Sequence, residues 1–293
     1  MTESRDSFAR FREVLEAIGF RPSSSLGQNF LLDPTLHRVI AQSAGAGEHD
    51  VVLEIGVGLG FLTRELAAVA ASVVGVEIDK RLFEVASREL AGFPNVQLVR
   101  ADALGGPGGT IAPEAVDAVR SRLHTGGRLL VVANLPYSVS GPLLAELCCL
   151  DPLPSRILVL VQKELGQRLA APHGTGDYGS LSALCQALYR VRILRDVPPQ
   201  VFRPRPKVVS ALVELVRRED LALPDPAARR SLARFLRALF QQRRKVLRTT
   251  LPRACEAAGL ELPAHGIDLG LRAEALSPDV LLGLWAGGVA RGG

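Results

Sequence analysis

Short apolar runs alternate with amphipathic stretches along most of the chain, and this pattern predicts the secondary structure. The apolar runs are rich in Val, Leu and Ile, as expected of parallel strands that are buried on both faces. Strands are predicted at 50–55, 72–77, 96–100, 131–134, 157–161, 189–197 and 208–215. Apolar residues at helical spacing predict helices at 7–18, 34–44, 80–90, 113–123, 141–150 and 163–169. The alternation indicates an α/β fold with a mostly parallel sheet.

A polar loop at 23–33 follows the first predicted helix. It carries the adjacent amides Gln28 and Asn29 next to the apolar residues Phe30 and Leu31. A loop of this kind can be a plain connector between two helices. It can also be a flap that closes over a ligand.

A glycine-rich turn ends the predicted strand at 50–55. Gly56, Gly58 and Gly60 form this turn, whereas a dinucleotide fingerprint requires its third glycine at the position of Phe61. Glu54 would also repel a diphosphate, but it suits a cofactor that carries an ammonium and a sulfonium group. The turn therefore favours such a cofactor. The alternative is a tight strand-to-helix crossover that merely needs small residues.

Acidic residues end the next two strands. Glu77 lies at the end of the strand at 72–77, where an acid can accept both ribose hydroxyls of a nucleoside. Asp102 follows the strand at 96–100, where it can bind an adenine amino group. Each acid alone could be a helix cap. Because the carboxyl ends of parallel strands meet at one edge, Glu54, Glu77 and Asp102 together predict a ligand site.

The strand at 131–134 ends at Asn134 and is followed by Leu135, Pro136 and Tyr137. These four residues are the leading candidates for catalysis. Asn134 offers a side-chain acceptor, and Pro136 stiffens the turn so that the Leu135 carbonyl points outward. Tyr137 offers a flat ring for stacking. These groups suit an exocyclic amine on a planar base. Taken alone, the tetrapeptide is also compatible with an ordinary turn.

Composition limits the class of protein. A hydrophobic content of 47% over 293 residues can bury a sizeable core. The start of the chain has no apolar signal region and no later apolar run has the length of a membrane span, so we expect a cytoplasmic protein. The four cysteines show no CxxC spacing, which favours reduced thiols and predicts no metal site.

Positive charge is concentrated in one part of the chain. Between Arg190 and Arg253, 17 Lys or Arg stand against 5 Asp or Glu, although the net charge of the whole chain is only +5. Such an excess is typical of a surface that binds a phosphate backbone, and it is also compatible with solvated helix faces. A stiff, Pro-rich linker at 198–207 within this region contains Phe202, Arg203, Arg205 and Lys207.

Together these motifs resemble the S-adenosylmethionine-dependent ribosomal RNA adenine dimethyltransferases, the KsgA-type enzymes. The matching segments are 26–31, 54–60, 134–137, 201–211, 240–248 and 272–278. The chain departs from the family pattern at Ser138-Val139, where Asn-Ile is usual, and at Val57, where Pro is usual. The Gly-rich stretch at 105–128 matches no motif of known role.

The resemblance implies a Rossmann-like methyltransferase domain at 1–216 and a smaller, all-helical RNA-binding domain at 217–293, in a monomer. S-adenosylmethionine is the implied cofactor. Its implied contacts are Asn29, Leu31, Gly56, Glu77, Asp102 and Asn134, in addition to Glu54, Gly58 and Gly60 of the glycine turn.

The implied substrate is an adenine whose amino group is methylated. Tyr137 and Phe202 would stack on its two faces. The predicted RNA contacts are Arg203, Arg205, Lys207, Arg244, Lys245 and Arg248. Segment 240–248 is predicted to be helical, so that Arg244 and Arg248, at i, i+4, would share one helix face.

Small-subunit ribosomal RNA is the expected partner, through two adjacent adenosines near its 3′ end. The alternative is the related large-subunit methylase that confers macrolide resistance. The residues at two of the motifs, Gly27-Gln28-Asn29 and Asn134-Leu135, favour the small-subunit enzyme. A non-catalytic ribosome-assembly or transcription factor on the same fold is a further alternative, which the intact Glu77, Asp102 and Asn134 argue against.

Overall fold

The computed structural model describes residues 8–17, 19–20, 29–220, 225–263 and 266–288. The part of the polar loop from Ser23 to Gln28 lies outside the described residues, and so does most of the first matching segment, Leu26 to Gln28. Asn29, Phe30 and Leu31 are described.

Nine strands form two sheets. They are β1 (Phe30–Leu31), β2 (Val51–Ile55), β3 (Ser72–Glu77), β4 (Val96–Arg100), β5 (Leu129–Asn134), β6 (Arg156–Gln162), β7 (Tyr189–Val197), β8 (Phe202–Arg203) and β9 (Ser210–Arg217) among the described residues. β1 and β8 pair antiparallel as a small separate sheet. The other strands form one sheet in the order β4-β3-β2-β5-β6-β9-β7.

The main sheet is parallel from β4 to β6. The chain leaves β2 toward β3 and β4 on one side, then returns to β5 and continues to β6 on the other. The strand order therefore reverses between β2 and β5, which is where ligands bind in open α/β sheets. Every residue of β2 is buried, which explains why this strand is apolar except at Glu54.

The described residues form eleven α-helices, and those within the first 170 positions mostly agree with the apolar spacing. They are α1 (Phe8–Ala17), α2 (Pro34–Ala44), α3 (Phe61–Ala67), α4 (Lys80–Glu89), α5 (Pro113–Arg122), α6 (Ser140–Leu147), α7 (Lys163–Ala170), α8 (Ser180–Leu188), α9 (Pro226–Phe240), α10 (Leu247–Ala258) and α11 (Pro278–Ala286). Asp33, Asp79 and Asp225 cap α2, α4 and α9, since each carboxylate accepts a backbone N–H of the first turn. None of these described helices is long and apolar enough to cross a membrane.

The chain divides into two compact units. The first comprises Met1–Leu143, Pro154–Lys163 and Leu194–Glu214, and it contains β1 to β6. The second comprises Leu144–Leu153, Glu164–Ile193 and Leu215–Gly293. In the second unit α9 packs against α8 and α10, and α11 packs against α8. A functional boundary at residue 216 stays a prediction.

The structure differs from the sequence prediction at three places. α8 was not expected, because Ser180–Leu188 is apolar around most of its circumference and lacks an amphipathic pattern. β1 and β8 are too short to produce a pattern of their own. Segment 241–245 is a series of turns instead of a helix, and α10 begins only at Leu247.

Candidate active site

A cavity of about 370 Å³ opens at the carboxyl ends of the parallel strands in the first unit. Its wall comes from the segments 29–31, 54–62, 76–78, 101–104 and 134–139. Most of the predicted site residues are therefore brought together. The reversal of strand order between β2 and β5 explains why these distant segments meet.

The glycine turn after β2 forms part of the cavity wall through Gly56 and Gly58. Gly58 has a φ of +59°, and a Cβ there would lie 3.2 Å from the ring of Phe30, so a larger residue would be both strained and crowded. Gly60 is not part of the wall. It directly precedes α3, and a Cβ at this position would meet Leu90 at 2.9 Å.

Glu77 is held rigidly at the end of β3. Its Oε2 accepts from the Gly58 backbone N–H at 2.8 Å, and its Oε1 accepts from that of Asp79 at 2.9 Å. Burial raises the pKa of Glu77, while these two hydrogen bonds lower it in part. Because Asp79 caps α4, Glu77 is not the helix cap. Each carboxylate oxygen keeps a further lone pair for a hydroxyl donor.

Glu54 is a buried carboxyl group in the cavity wall, only 1% exposed. Its pKa is raised from 4.5 to about 8, chiefly by burial; the nearby Thr63 hydroxyl opposes this shift, and the charge of Glu77 adds to it. Its Oε2 has no hydrogen-bond partner among the described residues. A buried acceptor without a partner is costly, which makes this atom a natural site for a cationic or hydrogen-bond-donating ligand group.

Asp102 lines the cavity after β4 and is exposed. Its Oδ1 accepts from the Leu104 backbone N–H at 3.0 Å, which fixes a tight turn. No helix begins at this turn, because α5 starts at Pro113. Asp102 is therefore not a helix cap, and its carboxylate faces a site where it can accept an amino hydrogen.

The orientation of Asn134 is fixed by its amide. The Nδ2 of Asn134 lies 2.8 Å from the Asn29 carbonyl oxygen. Since a carbonyl oxygen only accepts, the amide nitrogen must face it, and Oδ1 is left to accept from another group. Asn29, Leu31 and Asn134 all line the cavity.

A tight turn follows β5 at residues 135–140. The Leu135 backbone N–H donates to Leu160 O at 3.1 Å, and Pro136 O accepts from Val139 N and from the Ser140 hydroxyl. Among the described residues no donor reaches the Leu135 carbonyl oxygen. Leu135 and Pro136 line the cavity, whereas half-buried Tyr137 lies outside its wall.

Phe202 does not have the exposed ring that a stacking role requires. It is 0% exposed and belongs to the core cluster that also contains Leu31, Val197 and Leu212. Its strand β8 pairs with β1, which explains the burial. Contrary to the sequence prediction, Phe202 offers no face to a base.

Comparison with known proteins identifies the family that has this arrangement. The model of the ribosomal RNA adenine dimethylase family matches residues 19–284. The chain belongs to this family. S-adenosylmethionine is its cofactor, as the glycine turn and Glu54 favoured from the sequence.

Curated relatives in the ribosomal RNA adenine dimethylase family match over nearly the full chain. Ribosomal RNA small subunit methyltransferase A of Magnetococcus marinus is 39% identical, with 92% of this chain and 93% of the relative covered. The protein of the same name from Deinococcus radiodurans is 41% identical, with 97% of this chain and 90% of the relative covered.

Solved structures agree with the fold. A dimethyladenosine transferase from Plasmodium falciparum has a TM-score of 0.65 at 23% identity, with 86% of this chain and 94% of that chain covered. The 23S rRNA methyltransferase ErmE has a TM-score of 0.60 at 28% identity, with 88% of this chain and 98% of that chain covered.

The cavity also contains side chains that the sequence prediction missed. Ile78 lines the cavity and is 48% exposed, directly after Glu77. An apolar residue that follows a strand-end acid at the ligand edge is the sequence signal that could have identified it. His37, Ser138 and Val139 line the cavity as well.

The predicted RNA contacts are mostly exposed. Arg205 and Lys207 are exposed in the linker, and Arg244, Lys245 and Arg248 are exposed in the second unit. Arg203 is half-buried and donates to Gln200 O and Phe202 O at 2.8 Å.

Arg244 and Arg248 do not share a helix face, contrary to the prediction. Arg244 lies in the turns that precede α10, while Arg248 lies in its first helical turn. The neighbouring Arg243 has a different role. It donates to Gly176 O at 2.7 Å and to Tyr178 O at 3.1 Å, and it forms an ion pair with Glu274.

Proposed function

We propose that this protein transfers methyl groups from S-adenosylmethionine to N6 of two adjacent adenosines near the 3′ end of small-subunit ribosomal RNA, as a step of small-subunit maturation. The observation that supports this most directly is the orientation of Asn134. Its amide nitrogen is engaged by Asn29 O at 2.8 Å, so that its oxygen is available to an incoming amine.

Adenine N6 is a poor nucleophile, because its lone pair is delocalised into the ring. Oδ1 of Asn134 and the carbonyl oxygen of Leu135 would each accept one amino hydrogen. Two acceptors at this position favour a pyramidal nitrogen and direct its lone pair along one line. The bound cofactor supplies an electrophilic methyl group on a sulfonium. No strong base is needed, since the proton can leave after transfer.

The remaining site residues would hold the reactants. Glu77 would accept the ribose hydroxyls of the cofactor, Asp102 its adenine amino group, and Glu54 its ammonium group. Tyr137 would stack on the target adenine, a contact worth on the order of 1–3 kcal/mol. Arg205, Lys207, Arg244, Lys245 and Arg248 are the exposed cations that we assign to the RNA backbone.

The small subunit is favoured over the large subunit as the substrate. Relatives named small subunit methyltransferase A are 39% and 41% identical over most of the chain. The large-subunit enzyme ErmE is 28% identical.

The experiment offers labelled cofactor and purified protein to unmodified small subunits, large subunits and naked RNA, and then maps the labelled base. We expect label in small subunits at two adjacent adenosines. Label confined to large subunits would contradict the substrate assignment. Tight binding to small subunits without label would favour a non-catalytic assembly factor.

A further inference from the structure

Ser210 and Tyr137 form a hydrogen bond that no sequence motif suggested. Their hydroxyl oxygens lie 2.6 Å apart, although the residues are 73 positions apart in the chain. Ser210 is the first residue of β9 and is 0% exposed. Tyr137 is half-buried in the turn after β5. The bond therefore joins the tip of a partly exposed ring to a fully buried anchor.

Each end of Tyr137 is held by a separate contact. On the backbone side, the Ser140 hydroxyl donates to Pro136 O at 2.9 Å, and Val139 N donates to the same oxygen at 3.1 Å. At the ring tip, the only hydroxyl partner recorded among the described residues is Ser210. Restraint at both ends fixes the direction of the ring's long axis, which runs from Cβ to the hydroxyl oxygen, and so fixes where the ring lies.

The anchor itself lies on a rigid element. β9 is an interior strand of the main sheet, between β6 and β7. Val209 O, directly before Ser210, accepts from the Lys163 backbone N–H at 3.0 Å, which ties this end of β9 to the end of β6. A side chain on such a strand is placed more accurately than one on a loop.

We propose that Ser210 is a positioning residue for methyl transfer, which acts by holding the ring of Tyr137 at the place where the target adenine stacks. The proposal rests on the proposed function. A base that stacks on a ring held in one place presents its amino group to Asn134 and Leu135 at one angle, whereas a ring that swings about its Cα–Cβ bond presents it at many. Ser210 itself touches neither reactant.

A purely structural role for the bond makes a different prediction. A buried serine hydroxyl needs a hydrogen-bond partner, so loss of the bond would lower stability in any case. If that were its whole role, the folded variant would transfer methyl groups at the normal rate. A positioning role predicts a slower chemical step at unchanged affinity for cofactor and RNA.

The experiment compares Ser210→Ala, Tyr137→Phe and the double variant in single-turnover methylation of small subunits, at saturating cofactor and RNA. Each single variant should lower the rate constant by about 2- to 10-fold, the range expected for one hydrogen bond, and the double variant should be no slower than the slower single. Ser155→Ala is the matched control, because its hydroxyl donates to Leu129 O at 3.0 Å, at the opposite end of β5. It should react at the wild-type rate.

A second readout follows the base directly. With 2-aminopurine in place of a target adenosine, stacking on Tyr137 should quench its fluorescence, and Ser210→Ala should quench it less than wild type. A wild-type rate in folded Ser210→Ala, effects that multiply in the double variant, or equal quenching would each overturn the proposal.

The experiment also distinguishes a variant that does not fold from a wild-type protein that has no activity. If Ser210→Ala does not fold, Tyr137→Phe breaks the same bond from the tyrosine side, and a normal rate in that variant would overturn the proposal. If the wild-type protein itself transfers no methyl group, the proposed function fails. The quenching comparison then decides alone whether Ser210 orders the ring.

Discussion

The cavity edge of the sheet and the basic segment 240–248 hold their functional side chains in different ways. Glu54 and Glu77 lie at strand ends and are no more than 5% exposed. Both line the cavity, where burial holds their carboxyl groups in place. Arg244, Lys245 and Arg248 are exposed, on turns and on the first turn of α10. The first region fixes distances, and the second supplies charge.

This difference determines how each region responds to substitution. Methyl transfer depends on near-attack geometry, so the loss of one fixed group in the cavity should have a large effect. Phosphate binding by exposed cations depends mainly on charge and reach, so each loss should be small and dependent on salt. Substitutions in the two regions should therefore differ in the size of their effects and in their dependence on salt.

Asn134→Ala should give the largest effect. It removes an acceptor for the amine, and we expect single-turnover methylation to fall by roughly 100-fold or more, with RNA affinity nearly unchanged. The measurement is the rate at saturating RNA together with a separate binding titration. Asn95→Ala is the matched control, since its amide donates to Ala67 O and Ala70 O away from the cavity. A normal rate for Asn134→Ala with lost RNA binding would contradict the assigned role.

Glu77→Ala should weaken cofactor binding by about 1.5–3 kcal/mol, because charge-assisted hydrogen bonds to ribose are lost. Calorimetric titration with S-adenosylmethionine measures the effect. Glu84→Ala is the control, as Glu84 is an exposed acid on the neighbouring helix α4. Unchanged affinity in a folded Glu77→Ala protein would show that the ribose lies elsewhere.

The strand-end residues were predictable from the sequence because the carboxyl ends of parallel strands all lie at one edge of the sheet. The predicted segments 34–44, 72–77 and 96–100 agree with α2, β3 and β4 residue for residue. Once the strands are placed, Glu77, Asp102 and Asn134 must meet at one edge. The family, the fold class and the cofactor inferred from these positions are confirmed.

Contacts that depend on tertiary packing were not predictable in this way. Phe202 is an aromatic residue in a basic linker, and nothing in its sequence shows that pairing of β8 with β1 buries its ring. The bond between Tyr137 and Ser210 joins the turn after β5 to β9, which are distant in the chain. The predicted helix at 240–248 was wrong because an i, i+4 spacing of arginines does not by itself distinguish a helix from successive turns.

The pH dependence of stability tests whether Glu54 is uncharged in the cofactor-free protein. Its pKa is about 8 in the folded state and near 4.5 in the unfolded chain. A folded pKa above the unfolded value means that its contribution to stability is complete below pH 4.5 and is lost as the pH rises toward 8. Glu54→Gln stays neutral throughout. Its stability should therefore decline less with pH than that of wild type.

The measurement is chemical denaturation at two pH values, about 5 and about 7, without cofactor. The wild-type protein should lose on the order of 2 kcal/mol more than Glu54→Gln over this interval. Glu84→Gln, which changes an exposed acid, should behave like wild type. Equal slopes for wild type and Glu54→Gln would mean that Glu54 is already ionised in the folded protein.

The smallest effect is expected in the basic segment, where two adjacent arginines provide an internal control. Arg244→Ala with Arg248→Ala should weaken RNA binding and reduce the log–log salt slope by up to about two units, with cofactor affinity unchanged. Arg243→Ala should instead lower the stability of the second unit, because its guanidinium holds Gly176 O, Tyr178 O and Glu274. Salt-dependent RNA titrations and thermal unfolding separate the two effects. If the double variant keeps the wild-type salt slope, these cations are merely solvated, and the linker cations Arg205 and Lys207 become the expected RNA contacts.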